Sequence, residues 1–120
     1  MKITEFEYDL HDSIIKNIVF DYASASVRLY ISLCNWRQKT YTEDMPEIID
    51  TVFVFEGVSE FSAENGNIAV TETEISCCEH IRGEHDGLMI KAFDYKNGDY
   101  IKIIITAETV FIINIPEAKE

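Results

Sequence analysis

The sequence predicts an all-β domain, an antiparallel β-sandwich or flattened barrel of about eight strands with at most one or two short helices. Three observations carry that prediction. Ile, Val and Thr together number 33 against four Leu, and 14 residues are aromatic. Branched and aromatic side chains suit a pleated sheet and lose rotamer freedom in a helix. Several segments alternate apolar and polar residues with period two, the signature of strands buried on one face. Short turn sequences punctuate the chain, and no helical period is sustained.

The elements follow in order. Phe6, Tyr8 and Leu10 alternate with Glu5, Glu7 and Asp9, which predicts a first half-buried strand. Ile14 to Tyr22 reads as a second, turning through the small residues Ala23 to Ser26 into Val27-Leu29-Ile31-Leu33. Asn35 to Asp50 has no period and reads as a long loop holding one helical turn at Pro46 to Asp50. Strands over Thr51 to Phe55 and Val58 to Ser62 flank Gly57, and Ala63 to Asn67 is a polar turn. Ile68 to Ile81 fits a strand followed by a short helix, or a second irregular strand. Leu88 to Tyr95 and Tyr100 to Thr106 flank Lys96-Asn97-Gly98-Asp99, where Asn-Gly favours a tight hairpin because both residues tolerate positive φ. A reversal at Ala107-Glu108 leads to a last strand, Thr109 to Ile115, closed by Pro116, which supplies no ladder donor. No linker, repeat or low-complexity tract divides the 120 residues, so residues 1–120 form one domain, large enough to bury about two-thirds of its extended surface.

Two segments, Val52-Phe53-Val54-Phe55 and Ile103-Ile104-Ile105, are apolar on both faces. Their second face needs a cover, either the Asn35 to Asp50 segment or another subunit in a homodimer. The N-terminal ten residues carry Glu5, Glu7 and Asp9 where a signal peptide has a basic end, and the longest apolar runs are four residues. Three cysteines, two of them adjacent, suit reduced thiols better than a disulfide framework, so a cytoplasmic protein is expected.

Cys77, Cys78, His80 and His85 lie within a cluster that also holds Glu79, Glu84 and Asp86, and they are the candidates for a metal site. The spacing matches no paired-ligand pattern, and adjacent strand residues face opposite sides, so the expectation is no metal and no cofactor. His11-Asp12-Ser13 has the residue types of a hydrolase triad in the wrong arrangement, because consecutive side chains splay apart. It reads instead as a turn in which Asp12 or Ser13 bonds nearby amides. There is no nucleophile elbow and no glycine-rich phosphate loop, so no enzyme is expected and no catalytic residue is assigned.

Charge is the more informative feature. With 22 acids against 10 bases the chain carries −12, which argues against nucleic acid, whose affinity comes from clustered Lys and Arg, and against anionic membrane surfaces. Between Thr40 and Asp86 twelve acids face one base, Arg82, so −11 of the total sits in the middle of the sequence. Such a field raises the association rate of a basic partner. Trp36 and Tyr41, beside Glu43, Asp44, Glu47 and Asp50, are the expected anchors of a protein-binding surface, since aromatic residues in a charged rim dominate binding energy.

Leu10-His11-Asp12-Ser13-Ile14 with Ile18, the alternation Val27-Leu29-Ile31-Leu33, and Val54-Phe55-Glu56-Gly57-Val58-Ser59-Glu60-Phe61 resemble small uncharacterised bacterial β proteins. Some of these resemble immunity proteins of polymorphic toxin systems. The resemblance spans roughly residues 6–62 and implies a cytosolic, noncatalytic protein that binds and blocks a cognate toxin domain. The expected function is thus a noncatalytic interaction module, immunity-like, that takes a basic partner on its acidic central surface. A small-molecule or metal-binding β-barrel protein or enzyme, and a homo-oligomeric structural subunit, are the alternatives.

Overall fold

A computed structural model of the chain describes residues 1–64, 73–96 and 98–114. Eight strands form one antiparallel sheet: β1 (Ile14–Asp21), β2 (Ser26–Cys34), β3 (Ile48–Glu56), β4 (Glu60–Glu64), β5 (Thr73–Ile81), β6 (Gly87–Asp94), β7 (Asp99–Thr106) and β8 (Thr109–Asn114). The only helical elements among the described residues are 3-10 turns at Ile3–Glu5 and Asn35–Arg37. The strand order is β4-β7-β6-β5-β1-β2-β3-β8, so β4 and β8 are the end strands among the described residues and the sheet is open, not a closed barrel.

The order resolves into two halves. β1, β2 and β3 are a meander with β8 added beside β3, and β5, β6 and β7 are a meander with β4 added beside β7. Each half therefore receives its fourth strand from the other half's chain segment, through the links Gly57–Ser59 and Ala107–Glu108. Among the described residues the halves join through the pairs Ile14 with Glu74 and Ile15 with Thr73. Further along β1 the Phe20 ring meets Phe61 of β4, in the opposite half, at 5.3 Å. The sheet is thus folded over on itself, and its two inner faces share one core that includes Val27, Leu29, Ile31, Phe53 and Phe55 with Ile75, Leu88, Ile90, Ile103 and Ile105. Both seam strands carry a bulge, between Ile15 and Asn17 in β1 and between Ile75 and Cys77 in β5. A bulge increases local twist, which helps a strand turn away from a neighbour. The duplication of topology has no counterpart in the residues, which is why no repeat is visible in the sequence.

Two expectations are corrected. Phe6, Tyr8 and Leu10 do not form a strand. The segment from Met1 to Leu10 is a strap that holds the 3-10 turn Ile3–Glu5, and Ile3, Phe6 and Leu10 are buried with Phe6 and Tyr8 edge-on to Phe53 at 5.2 Å. The alternation marked burial correctly. Ladder pairing does not follow from it, because the strap is tied by scattered bonds: Met1 to Val110, Ile3 N–H to Glu108 O, the Phe6 carbonyl to His80 Nε2, and Asp9 N–H to Gln38 Oε1. The helical turn lies at Asn35–Arg37, not Pro46 to Asp50, because Asn35 and Trp36 both donate to the Glu47 carbonyl and β3 begins at Ile48. Of the two readings of Ile68 to Ile81 the irregular strand is the one observed: Thr73–Ile81 is one bulged strand, and residues 65–72 lie outside the described residues. Asn97 also lies outside them, while Gly98 has the positive φ of 72° that the hairpin requires.

Candidate functional site

The loop between β2 and β3 begins where β2 ends in the buried Cys34. Asn35 N–H and Trp36 N–H donate to Glu47 O at 2.7 and 3.2 Å, and Asn35 Nδ2 donates to Pro46 O at 2.9 Å. These bonds draw the two feet of the loop together and set Trp36 beside Glu47. Gln38 continues the fixation, since its Nε2 reaches both Asp9 O and Cys34 O. Arg37 Nη2 donates to Asp12 Oδ2 at 2.9 Å and Nη1 lies 3.5 Å from Asp9, so the loop is tied to the strap and to the turn before β1. The Asp12 carboxylate, as acceptor, further favours the charged guanidinium. Across the tip, Tyr41 N–H bonds Gln38 O, Met45 N–H bonds Thr42 O, and Thr42 Oγ1 bonds the Asp44 carboxylate. At the other foot Ser32 Oγ donates to Asp50 at 3.2 Å.

This scaffold presents Glu43, Asp44, Glu47 and Asp50 to solvent, with Tyr41 half-buried among them. Trp36 is 45% exposed, and the Arg37 guanidinium carbon lies 4.8 Å from its ring centroid. Two further exposed apolar side chains stand beside them that the sequence did not single out, Met45 at 40% and Ile48 at 47% exposure. Ile48 carried a usable signal, because its neighbours Ile49 and Thr51 belong to a strand start, whereas nothing marked Met45.

The remaining acids of the central run lie elsewhere. Glu56 closes the far end of β3, Glu60 and Glu64 are the two ends of β4, Glu74 and Glu79 lie on β5, Glu84 and Asp86 lie in the β5–β6 turn, and Glu72 lies outside the described residues. The contiguous run in sequence is therefore split between two ends of the molecule. At the end away from Trp36 an open cleft of about 480 Å³ is lined by Lys2, Gly57, Ser59, Glu84, His85 and Glu108, among others. Ser59 Oγ in that cleft is bonded to Thr106 Oγ1 at 2.7 Å.

The Cys/His candidates do not converge. Cys78 lies opposite the buried Ile90 and packs against the core, whereas Cys77 lies opposite Lys91 on the outer face. His80 Nε2 is bonded to Phe6 O at 2.8 Å, and His85 sits in the β5–β6 turn. Among the described residues no three His, Cys, Asp or Glu side chains are grouped to hold a metal ion. Burial, then the neighbouring Cys77 and Glu79, pushes the Cys78 thiol from 9.0 up to about 12, and burial also raises Cys34. His11-Asp12-Ser13 is a turn: Asp12, at φ 69°, donates its N–H to Ile75 O, and the fully buried Ser13 Oγ accepts Cys34 N–H at 3.0 Å. The three side chains make no relay, with His11 Nδ1 3.4 Å from Asp12 and the Ser13 hydroxyl bonded elsewhere.

No family model and no curated protein matches the chain. One solved structure, described as an uncharacterized protein from Neisseria gonorrhoeae, is similar over 85% of this chain and 90% of its own, at 13% identity and a TM-score of 0.44. That likeness carries no argument about fold or function. No helix among the described residues is long and apolar enough to cross a membrane.

Proposed function

We propose that the protein is a noncatalytic interaction module that takes a basic protein partner on the rim formed by the β2–β3 loop. One observation carries the reading: Trp36, Met45 and Ile48 are each 40–47% exposed and lie, with Glu43, Asp44, Glu47 and Asp50, on the β2–β3 loop and the first residues of β3. Apolar anchors within an acidic surround suit a partner whose Lys and Arg surround an apolar patch. The loop's own hydrogen bonds hold it in shape before binding, so little ordering entropy is lost on association. The immunity-like role, in which a cytosolic protein neutralises a basic toxin domain, rests on the resemblance of residues 6–62 and on this charge.

Titration calorimetry against the basic product of a neighbouring gene tests it, at low and at high salt. Replacing Glu43, Asp44 and Glu47 by Lys is expected to weaken binding at least about tenfold, each desolvated charge contact being worth 1 kcal/mol or more. Replacing Glu56 and Glu84, exposed at the other end of the molecule, by Lys serves as the remote control, with an expected effect of about twofold or less. Equal effects of the two sets, or binding indifferent to Trp36→Ala, remove the rim as the site.

A further inference from the structure

The two edge strands are topological equivalents, each the fourth strand of its segment and each laid against the other half. Natural sheets protect free edges with charge, proline, bulges or a cover. β4 follows that rule, with the sequence Glu-Phe-Ser-Ala-Glu. β8, Thr-Val-Phe-Ile-Ile-Asn, contains no charge and no proline, and its pairing with β3 runs without a bulge.

Its cover is partial. Met1 N and O pair with Val110 O and N at 3.0 and 2.9 Å, and Ile3 N–H bonds Glu108 O. In an antiparallel strand the outward-facing amides come at every second residue, so the next one after Val110 is Ile112. No described residue bonds the Ile112 N–H or C=O on that side. Side-chain burial points the same way. On the outer face of β3, Val52 and Val54 are 5% and 4% exposed, because Tyr30 and Arg28 flank them on one side and Ile113 and Phe111 on the other. Phe111 and Ile113 face the same way on β8 but have a neighbouring strand on one side only, and they are 40% and 45% exposed. A strand added to β8 would do for them what β8 does for Val52 and Val54.

We propose that this strand is β8 of a second copy, paired antiparallel across a two-fold axis so that the two sheets continue into one another. Charge favours a copy over a basic chain. An uncharged edge offers Lys or Arg no counter-charge along its length, whereas two identical β8 strands present matching apolar side chains and only hydrogen-bonding groups. The size of the contact sets its strength. The part of the edge that the Met1–Ile3 segment leaves open, from Phe111 to Asn114, with two flanking apolar side chains falls below the roughly 1,200 Å² of a stable interface, so the dimer is transient. Each copy carries −12, so screening by salt strengthens the association. That dependence is opposite to the one expected for a basic partner on the Trp36 rim, and the two readings can fail separately.

Sedimentation equilibrium over a wide concentration series, at low and high salt, tests the proposal. The expected result is a mass rising reversibly from 13.8 kDa toward twice that value, more readily at high salt. The variant Phe111→Lys/Ile113→Lys is expected to remain monomeric throughout. Both positions are exposed enough to leave the fold intact, which circular dichroism verifies. Ser62→Lys, on the β4 edge, is expected to associate like the wild type. A wild-type mass fixed at 13.8 kDa in high salt at the highest concentration overturns the proposal, and so does self-association undiminished in the double Lys variant.

Discussion

The two halves of the sheet share a topology and differ in almost everything else. The inner face of β1-β2-β3-β8 is capped by aromatic contacts, with Phe53 touching both Phe6 and Tyr8 of the strap. The inner face of β5-β6-β7 is aliphatic, built from Ile75, Leu88, Ile90, Ala92, Ile101, Ile103 and Ile105. The first half carries the loop with Trp36, the strap and the uncharged edge; the second carries the charged edge and the Cys77-Cys78 pair. Topology evidently sets where strands lie, and the features available for recognition sit where the halves have diverged. This agrees with the general separation of fold from function.

The largest expected effect separates the two cores. Phe53→Ala removes a fully buried ring and the strap's main contact, a change of about 3–5 kcal/mol by urea unfolding. Ile103→Ala, at a fully buried position in the second half, is expected to cost less by about 1 kcal/mol or more, because aromatic pairs add to area burial. Equal losses would mean the strap adds nothing to the first half.

A second test concerns how tightly each half closes at the start of its middle strand. A Cβ at Gly87 would lie 2.2 Å from the Ile105 carbonyl oxygen and 2.7 Å from Thr106 Cα, so Gly87→Ala is expected to destabilise by about 1–3 kcal/mol. In the first half the position opposite the end of the third strand is Ser26, facing Glu56, where a side chain is accommodated. Gly83→Ala, with no atom within 4 Å of the new Cβ, should shift stability by less than about 0.5 kcal/mol.

The seam supplies the third. Ser13 O accepts Ile75 N–H of one half while its Oγ accepts Cys34 N–H of the other. Ser13→Ala leaves a buried N–H unpaired and is expected to cost about 1–3 kcal/mol, with faster exchange of the Cys34 amide as the local readout. The smallest effect is confined to alkaline solution. Because the native Cys78 thiol holds its proton up to about pH 12, while an unfolded thiol loses it near 9.0, the native state binds more protons in between, and stability falls as pH rises through that window. Cys78→Ala should flatten the decline relative to the wild type, as read from urea midpoints on either side of pH 9.

Much of the sheet was legible in the sequence because burial on one face leaves a period of two. Val27 to Leu33, Tyr100 to Thr106 and Thr109 onward fall within observed strands for that reason. The same period misled at Phe6 to Leu10, since alternation reports which side chains are buried and is silent on whether the backbone has a ladder partner. The bulge at β5 broke the period between Ile75 and Cys77 and made strand and helix indistinguishable there. Of the candidate site, Trp36, Glu43, Asp44 and Glu47 do share one loop, whose feet are drawn together by the bonds to the Glu47 carbonyl, and Asp50 follows at the start of β3. The wider acidic run did not stay together. β3 belongs to one half and β4 and β5 to the other, and the exchange of fourth strands is a long-range property that local pattern cannot show.

That exchange also imposes a schedule on synthesis. β3 leaves the ribosome long before β8, its partner on the edge side, and the chain between them must be made and folded into the other half first. Phe53 and Val54 therefore wait with one flank open until Ile112 and Phe111 arrive. The high sequence separation of these pairs predicts slow folding for a chain of this size, and a nascent chain whose first half attracts chaperones until the final strand is in place.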